Sequence, residues 1–235
     1  MPTLFYSILA NADEGGIASF GFIALFVAFI GGVFFFARKQ AKKRTGEMKQ
    51  IAVSLDMSFN AETHKPIDLG LSGMYLFKKG RSHKIKNLIQ GTFVDTDCML
   101  FDYQYTTGSG KNSSTHRQTV VAFKICGTQL PKFTCKPEHF FHKFADLFGH
   151  ADINFEENPV FSKKYRLNGD DENAVRTIFN ESVISHLEAE SDQPWSVDGK
   201  GEWLVIHRAG IKVKTEDCSQ FLLDATTLLN AITLS

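Results

Sequence analysis

Residues 15–37, GGIASFGFIALFVAFIGGVFFFA, carry no ionisable side chain. As a helix rising 1.5 Å per residue, the run would extend about 35 Å, enough for a hydrocarbon core of about 30 Å. A surface helix of a globular domain is apolar on one stripe only, whereas this run is apolar around every face. It is therefore expected to be a transmembrane helix, which ties every other residue to a bilayer. Asp13 and Glu14 precede it without a lysine or arginine; Arg38, Lys39, Lys42, Lys43 and Arg44 follow it. Positive flanks stay inside, so residues 1–14 are expected to form a short extracytoplasmic N-terminus and the remainder to be cytoplasmic. The stretch MPTLFYSILANA has too short an apolar core and no positive charge, so it does not read as a cleaved signal peptide.

Charge and cysteine usage narrow the function classes. The 26 lysines and arginines equal the 26 aspartates and glutamates, which gives no electrostatic case for nucleic acid. Cys98, Cys126, Cys135 and Cys218 form no C-x-x-C pair, so they read as reduced cytosolic thiols, without a metal knuckle or disulfide framework.

Periodicity organises the rest. Met48, Ile51, Ala52 and Leu55 recur at helical spacing, predicting a basic juxtamembrane helix over residues 38–58. Residues 59–84 mix glycine, proline and lysine and read as a connector that packs Leu69, Leu71, Tyr75 and Phe77. The domain proper is expected over 85–235. Its strands are predicted where Ile85, Ile89 and Phe93 share a parity, where Met99 to Tyr105 alternate, and over 115–125, with a short edge at 133–135. A helix is expected over EHFFHKFADLF after Pro137, a strand through Phe161, Tyr165 and Leu167, and a helix capped by Asp170 that buries Val175, Ile178 and Phe179. A short helix around Val183, Ile184 and Leu187 follows. Trp195 to His207 reads as a hairpin turning at Asp198-Gly199-Lys200-Gly201. Thr215 is expected to cap a last helix carrying Phe221, Leu222, Ala225, Leu228, Leu229 and Ile232. The fold class is α+β: an antiparallel sheet with helices on one face, closed by a C-terminal amphipathic helix.

The stretches FDYQYTTGSGKNSSTHRQTVV and FSKKYRLNGDDENAVRTIF resemble a family of bacterial membrane-anchored proteins of unknown function. Its members carry one or two N-terminal transmembrane helices and a cytosolic α+β domain. The residues that carry the likeness are Phe101, Asp102, Tyr103 and Tyr105, then Arg117, Gln118 and Thr119, then Phe161, Tyr165, Arg176 and Phe179. The resemblance spans roughly residues 45–235. It implies a bacterial inner-membrane location and supplies no catalytic residues.

GSGK is not a phosphate loop: Tyr105 stands at the first glycine position, Asn112 where Ser or Thr must bind magnesium, and a strand follows in place of a helix. It is a hairpin tip. As an anion or partner contact the tip offers Gly108, Gly110, Lys111, His116 and Arg117, with backbone N–H groups and positive charge; a solvated loop explains the same residues. His139 and His142, with Glu138, His150 and Asp152 nearby, lack a zinc-hydrolase spacing and read as a polar helix face. Asp170, Asp171 and Glu172 read as a helix start, not a cation site. Asp102 is expected to pair with Arg117 across a hairpin, and Trp195 and Trp203 to be core or sheet-face residues. No cofactor and no metal are called for. The leading expectation is a single-pass membrane protein serving as an interaction or scaffolding module, its partners the bilayer through residues 15–37 and another protein or a second copy. The alternatives are a hydrolase-like enzyme built on Asp102, His116 and Arg117, and an anionic-lipid contact through the 107–117 tip.

Overall fold

The computed structural model describes residues 3–138, 152–189 and 192–233, with side chains from residue 25 onward. The helix predicted after Pro137 lies outside these residues, as do His139, His142 and His150. The chain divides into two compact units, Met1–Gly46 and Glu47–Ser235.

The first unit holds most of helix α1 (Thr3–Ser54). Among the described residues, no helix is long and apolar enough to cross a membrane; residues 15–24, the first part of the apolar run, lie outside those with described side chains. Beyond them Leu25, Phe26, Val27, Phe29, Phe34, Phe35 and Phe36 are all exposed. Arg38, Lys39, Lys42 and Lys43 follow on the same helix, also exposed, and Arg44 is half-buried.

In the second unit eight antiparallel strands form one sheet in the order β1-β2-β3-β4-β8-β7-β5-β6. They are β1 (Ser58–Asn60), β2 (Arg81–Phe93), β3 (Thr96–Thr107), β4 (Ser114–Lys124), β5 (Leu130–Pro137), β6 (Tyr165–Gly169), β7 (Trp195–Gly201) and β8 (Trp203–Arg208). The helices are α2 (Tyr75–Lys78), α3 (Pro159–Lys164), α4 (Glu172–Ile178), α5 (Glu181–Ala189) and α6 (Cys218–Thr233). The α+β class is as expected, but the simple meander stops at β4, which pairs with β8.

Alternation along the strands sends side chains to two faces, and each face has its own core. One face, with Cys98, Leu100, Val121, Phe123, Cys135, Val197, Leu204 and Ile206, packs against α3 to α6 and against Met48 and Ala52 of α1. Every residue of the predicted α6 stripe is buried there. On the second face Met99, Phe101, Tyr103, Val120, Ala122 and Val205 are covered by Leu71, Met74, Leu76 and Phe77. The 59–84 stretch is thus more than a connector: it supplies β1, the start of β2 and the cover of a whole sheet face. The domain begins at Glu47, well before residue 85.

Several local expectations are corrected. A bulge between Lys86 and Ile89, with Asn87 at φ 53°, puts Ile85 in the second-face core and Ile89 in the helix-face core, so the two do not share a side. Strand β5 is no edge; it lies between β7 and β6. Phe161 sits in α3, and the strand starts only at Tyr165. The cap of α4 is Asp171, whose carboxylate accepts the Ala174 N–H at 3.0 Å, while Asp170 pairs with Lys132. Asp198-Gly199-Lys200 continues β7, and the turn falls at Gly201 and Glu202, with Gly201 at φ 58°. Gly199 is needed inside the strand because a Cβ there would collide with the Phe133 ring. Thr215 caps nothing; its hydroxyl donates to Glu47 at 2.7 Å.

Candidate functional site

The hairpin tip is closed on itself. Asn112 N–H donates to Ser109 O and Ser113 N–H to Gly110 O, and Arg81 donates to the Gly108 carbonyl. Gly108 sits at φ 73°, where a Cβ would run into Asn112 O. Gly110 and Lys111 are exposed beside it. His116 and Arg117 remain on β4, and alternation points them to opposite faces. His116 stacks on Tyr105 at 4.8 Å and hydrogen-bonds Thr107 at 2.8 Å. Arg117 donates to Gln104 at 3.2 Å. The tip gathers Gly108, Gly110 and Lys111, and leaves His116 and Arg117 engaged elsewhere.

Asp102 lies opposite Thr119, not Arg117. Its carboxylate accepts from Asn87 at 2.9 Å and stands 3.4 Å from Lys212. It is on the helix face whereas His116 is on the second face, so Asp102, His116 and Arg117 do not form one pocket. Of the candidate metal ligands, Glu138 and Asp152 both accept from Arg166. Trp195 is core, 5.2 Å from the Phe221 ring and beneath the Arg208 guanidinium; Trp203 is partly buried on the second face. A groove of about 370 Å³ at the sheet end is lined by Ser58, Gln90, Asp97, Cys98, Lys124 and Trp203 among others. Burial, helped by Asp97, pushes the Cys98 thiol up to about 12, so it is no nucleophile at neutral pH.

The chemically unusual part of the domain is a polar belt on the second face, across β5, β7, β8 and β4. Asp198, 1 % exposed, accepts from Thr134 Oγ1 and from the Leu76 N–H at 3.1 Å, and lies 3.6 Å from Lys136 Nζ. The Lys136 ammonium stands 2.9 Å from the centre of the Tyr75 ring. Burial lowers the Lys136 ammonium to about 8, against the pull of Asp198. Tyr75 is pushed up by the same burial and by Asp198. These contacts fasten α2 and the chain before it onto the sheet.

Beside them, Ser196 and His207 are directly paired on β7 and β8 and both are buried. Gln118 fixes the histidine: its Oε1 accepts the Gly210 N–H at 3.0 Å, so its amide N–H faces His207 Nδ1 at 3.3 Å. Nδ1 then accepts and the proton sits on Nε2. Burial first, then Lys136 and Lys79, hold His207 neutral well below its ordinary range, with the Arg208 backbone pulling weakly the other way. Ser196 Oγ and His207 Nε2 make no hydrogen bond within the described chain, although each such buried group costs about 1–3 kcal/mol. The belt was hidden in the sequence because strand pairing, not spacing, assembles it. The local hint was polar residues at alternate positions, Ser196 and Asp198, interleaved with the buried Trp195 and Val197.

The fold places this chain among α+β proteins with one large antiparallel sheet covered on both faces. No family model matches the chain, and no curated protein matches it. Among solved structures it is similar to the crystal structure of the mycobacterial trehalose monomycolate transport factor A, TtfA, with a TM-score of 0.56 and 9 % identity over 80 % of this chain and 96 % of that one. At that identity the likeness is one of fold.

Proposed function

We propose that this chain is a membrane-tethered interaction or scaffolding module of the bacterial inner membrane, akin to the membrane-anchored proteins its sequence resembles. Residues 15–37 span the bilayer, residues 1–14 lie outside, and the domain works on the inner face with a protein partner or a second copy. The observation that carries this reading is the exposure of Leu25, Phe29 and Phe35 at 70, 69 and 72 %. With neighbours Phe26, Val27 and Phe34 they point in every direction around α1, and a helix apolar all round is stable only in lipid or inside protein. The basic block from Arg38 to Arg44 suits an anionic inner leaflet. The fold neighbour is named a transport factor, which is in keeping with binding in place of catalysis. Ser196, Asp198 and His207 are at most 2 % exposed, so they do not line an open cleft.

The test is fractionation with topology mapping. Expressed in a bacterium, the full chain should stay with the membrane through a high-salt and alkaline wash, and a reporter fused after Ser235 should read as cytoplasmic. In-membrane cross-linking should then give one discrete partner or dimer band. Recovery of the intact chain in the aqueous fraction, or a reporter outside the cell, would overturn the reading.

A further inference from the structure

Strand β4 pairs with β8 only from Val120 onward, so β2, β3 and β4 run on beyond β8 as a three-stranded arm ending in the hairpin tip. Their registers set Lys84, Gln104 and Arg117 in one row across the arm, and Lys86, Asp102 and Thr119 in the next, all on the helix face. Lys84, Lys86 and Arg117 are exposed. Arg117 donates to the neutral Gln104, and the carboxylate of these rows, Asp102, is taken by Lys212 and Asn87. Among the described residues none of the three cations forms an ion pair. The sequence supplies no other counter-charge here: no aspartate or glutamate occurs between Asp68 and Asp95, or between Asp102 and Glu138. Cations gathered on one face repel one another, a cost that a negative surface removes.

We propose that this face of the arm is a second contact with the bilayer, binding the phosphate groups of anionic phospholipids through Lys84, Lys86 and Arg117. The proposal rests on the tether reading above, and the geometry of the domain favours lipid as the partner. The chain enters the domain at Glu47, which accepts from Thr215. Just before Thr215, the Val213 N–H donates to Thr119 and Lys212 stands on Asp102, so the entry point and the basic rows lie side by side. At the far end of the sheet, around β6 and α4, the exposed Glu156, Glu157, Asp171 and Glu172 carry the opposite sign. Attraction at one end and repulsion at the other turn the arm toward the headgroups.

The test is lysine footprinting of the full chain in nanodiscs of phosphatidylcholine alone and of phosphatidylcholine mixed with phosphatidylglycerol. In the anionic discs acetylation of Lys84 and Lys86 should slow about fivefold, recover at high salt, and find no match at the exposed Lys163 of α3. Arg117→Glu, a change at an exposed position, should remove most of the slowing. A chain that enters neither disc would sink the tether; footprinting on preformed vesicles of the same two lipids then tests the arm by itself, with the same slowing expected. Equal rates in the two lipids, or slowing that Arg117→Glu leaves intact, would overturn the lipid contact. Protection common to both lipids that fades on dilution of the chain would overturn it as well and assign the face to a second copy.

Discussion

His207 shows how one residue sets a pH limit for the whole domain. It is neutral in the folded state, held so by burial and by Lys136 and Lys79, whereas the unfolded chain protonates it near 6.5. As pH falls through 6.5 the unfolded state takes up a proton that the folded state refuses, so stability is lost toward acid. The slope approaches about 1.4 kcal/mol per pH unit for this one group. Urea midpoints measured from pH 7 to 4.5 should fall more steeply in the wild type than in His207→Gln. Lys136 acts in a different window: its folded value near 8 lies below the ordinary 10.5, so its share of stability rises only between those limits. The two buried bases therefore do not obscure one another.

At the scale of elements, α4 separates a cap from a look-alike. Asp171 accepts the Ala174 N–H, whereas Asp170 holds Lys132 in a half-exposed pair. Asp171→Ala should cost about 1 kcal/mol in urea unfolding, and Asp170→Ala at most about 0.5. Equal losses would mean that the two carboxylates share the cap. The same comparison shows what the sequence made legible. Helix α6 was readable because its six stripe positions repeat with the helix itself, and β3 and β4 because their apolar residues alternate. The cap was missed by one position because two adjacent aspartates satisfy the same pattern. The parity of Ile85 and Ile89 misled because Asn87 at positive φ inserts a bulge that no alternation announces. The turn at Gly201 was displaced because Gly199, a turn residue by composition, is required by the ring of Phe133. As for the candidate sites, the hairpin tip was recognised as a turn, but the faces taken by His116 and Arg117 depend on where β4 meets β3. The polar belt needed four strands to be paired before any two of its members became neighbours.

Across the whole molecule, the first and last segments of the second unit depend on each other. Met48 and Ala52 are fully buried, and Thr215 and Cys218 reach Glu47 and Met48 across 168 and 170 residues of chain. Truncation before Thr215 should therefore leave those positions and the helix face of the sheet uncovered, a large apolar patch. The truncated chain should lose its cooperative thermal transition and bind a hydrophobic dye; an unchanged melt would show that α6 is dispensable. The separation also fixes an order in time. A ribosome delivers Met48 long before Cys218, and β4 waits for β8 through some eighty residues of intervening chain. The sheet is thus completed only once β8 has emerged, and until α6 follows it a nascent chain carries an unpaired β4 edge and an uncovered apolar face that must be kept from its neighbours.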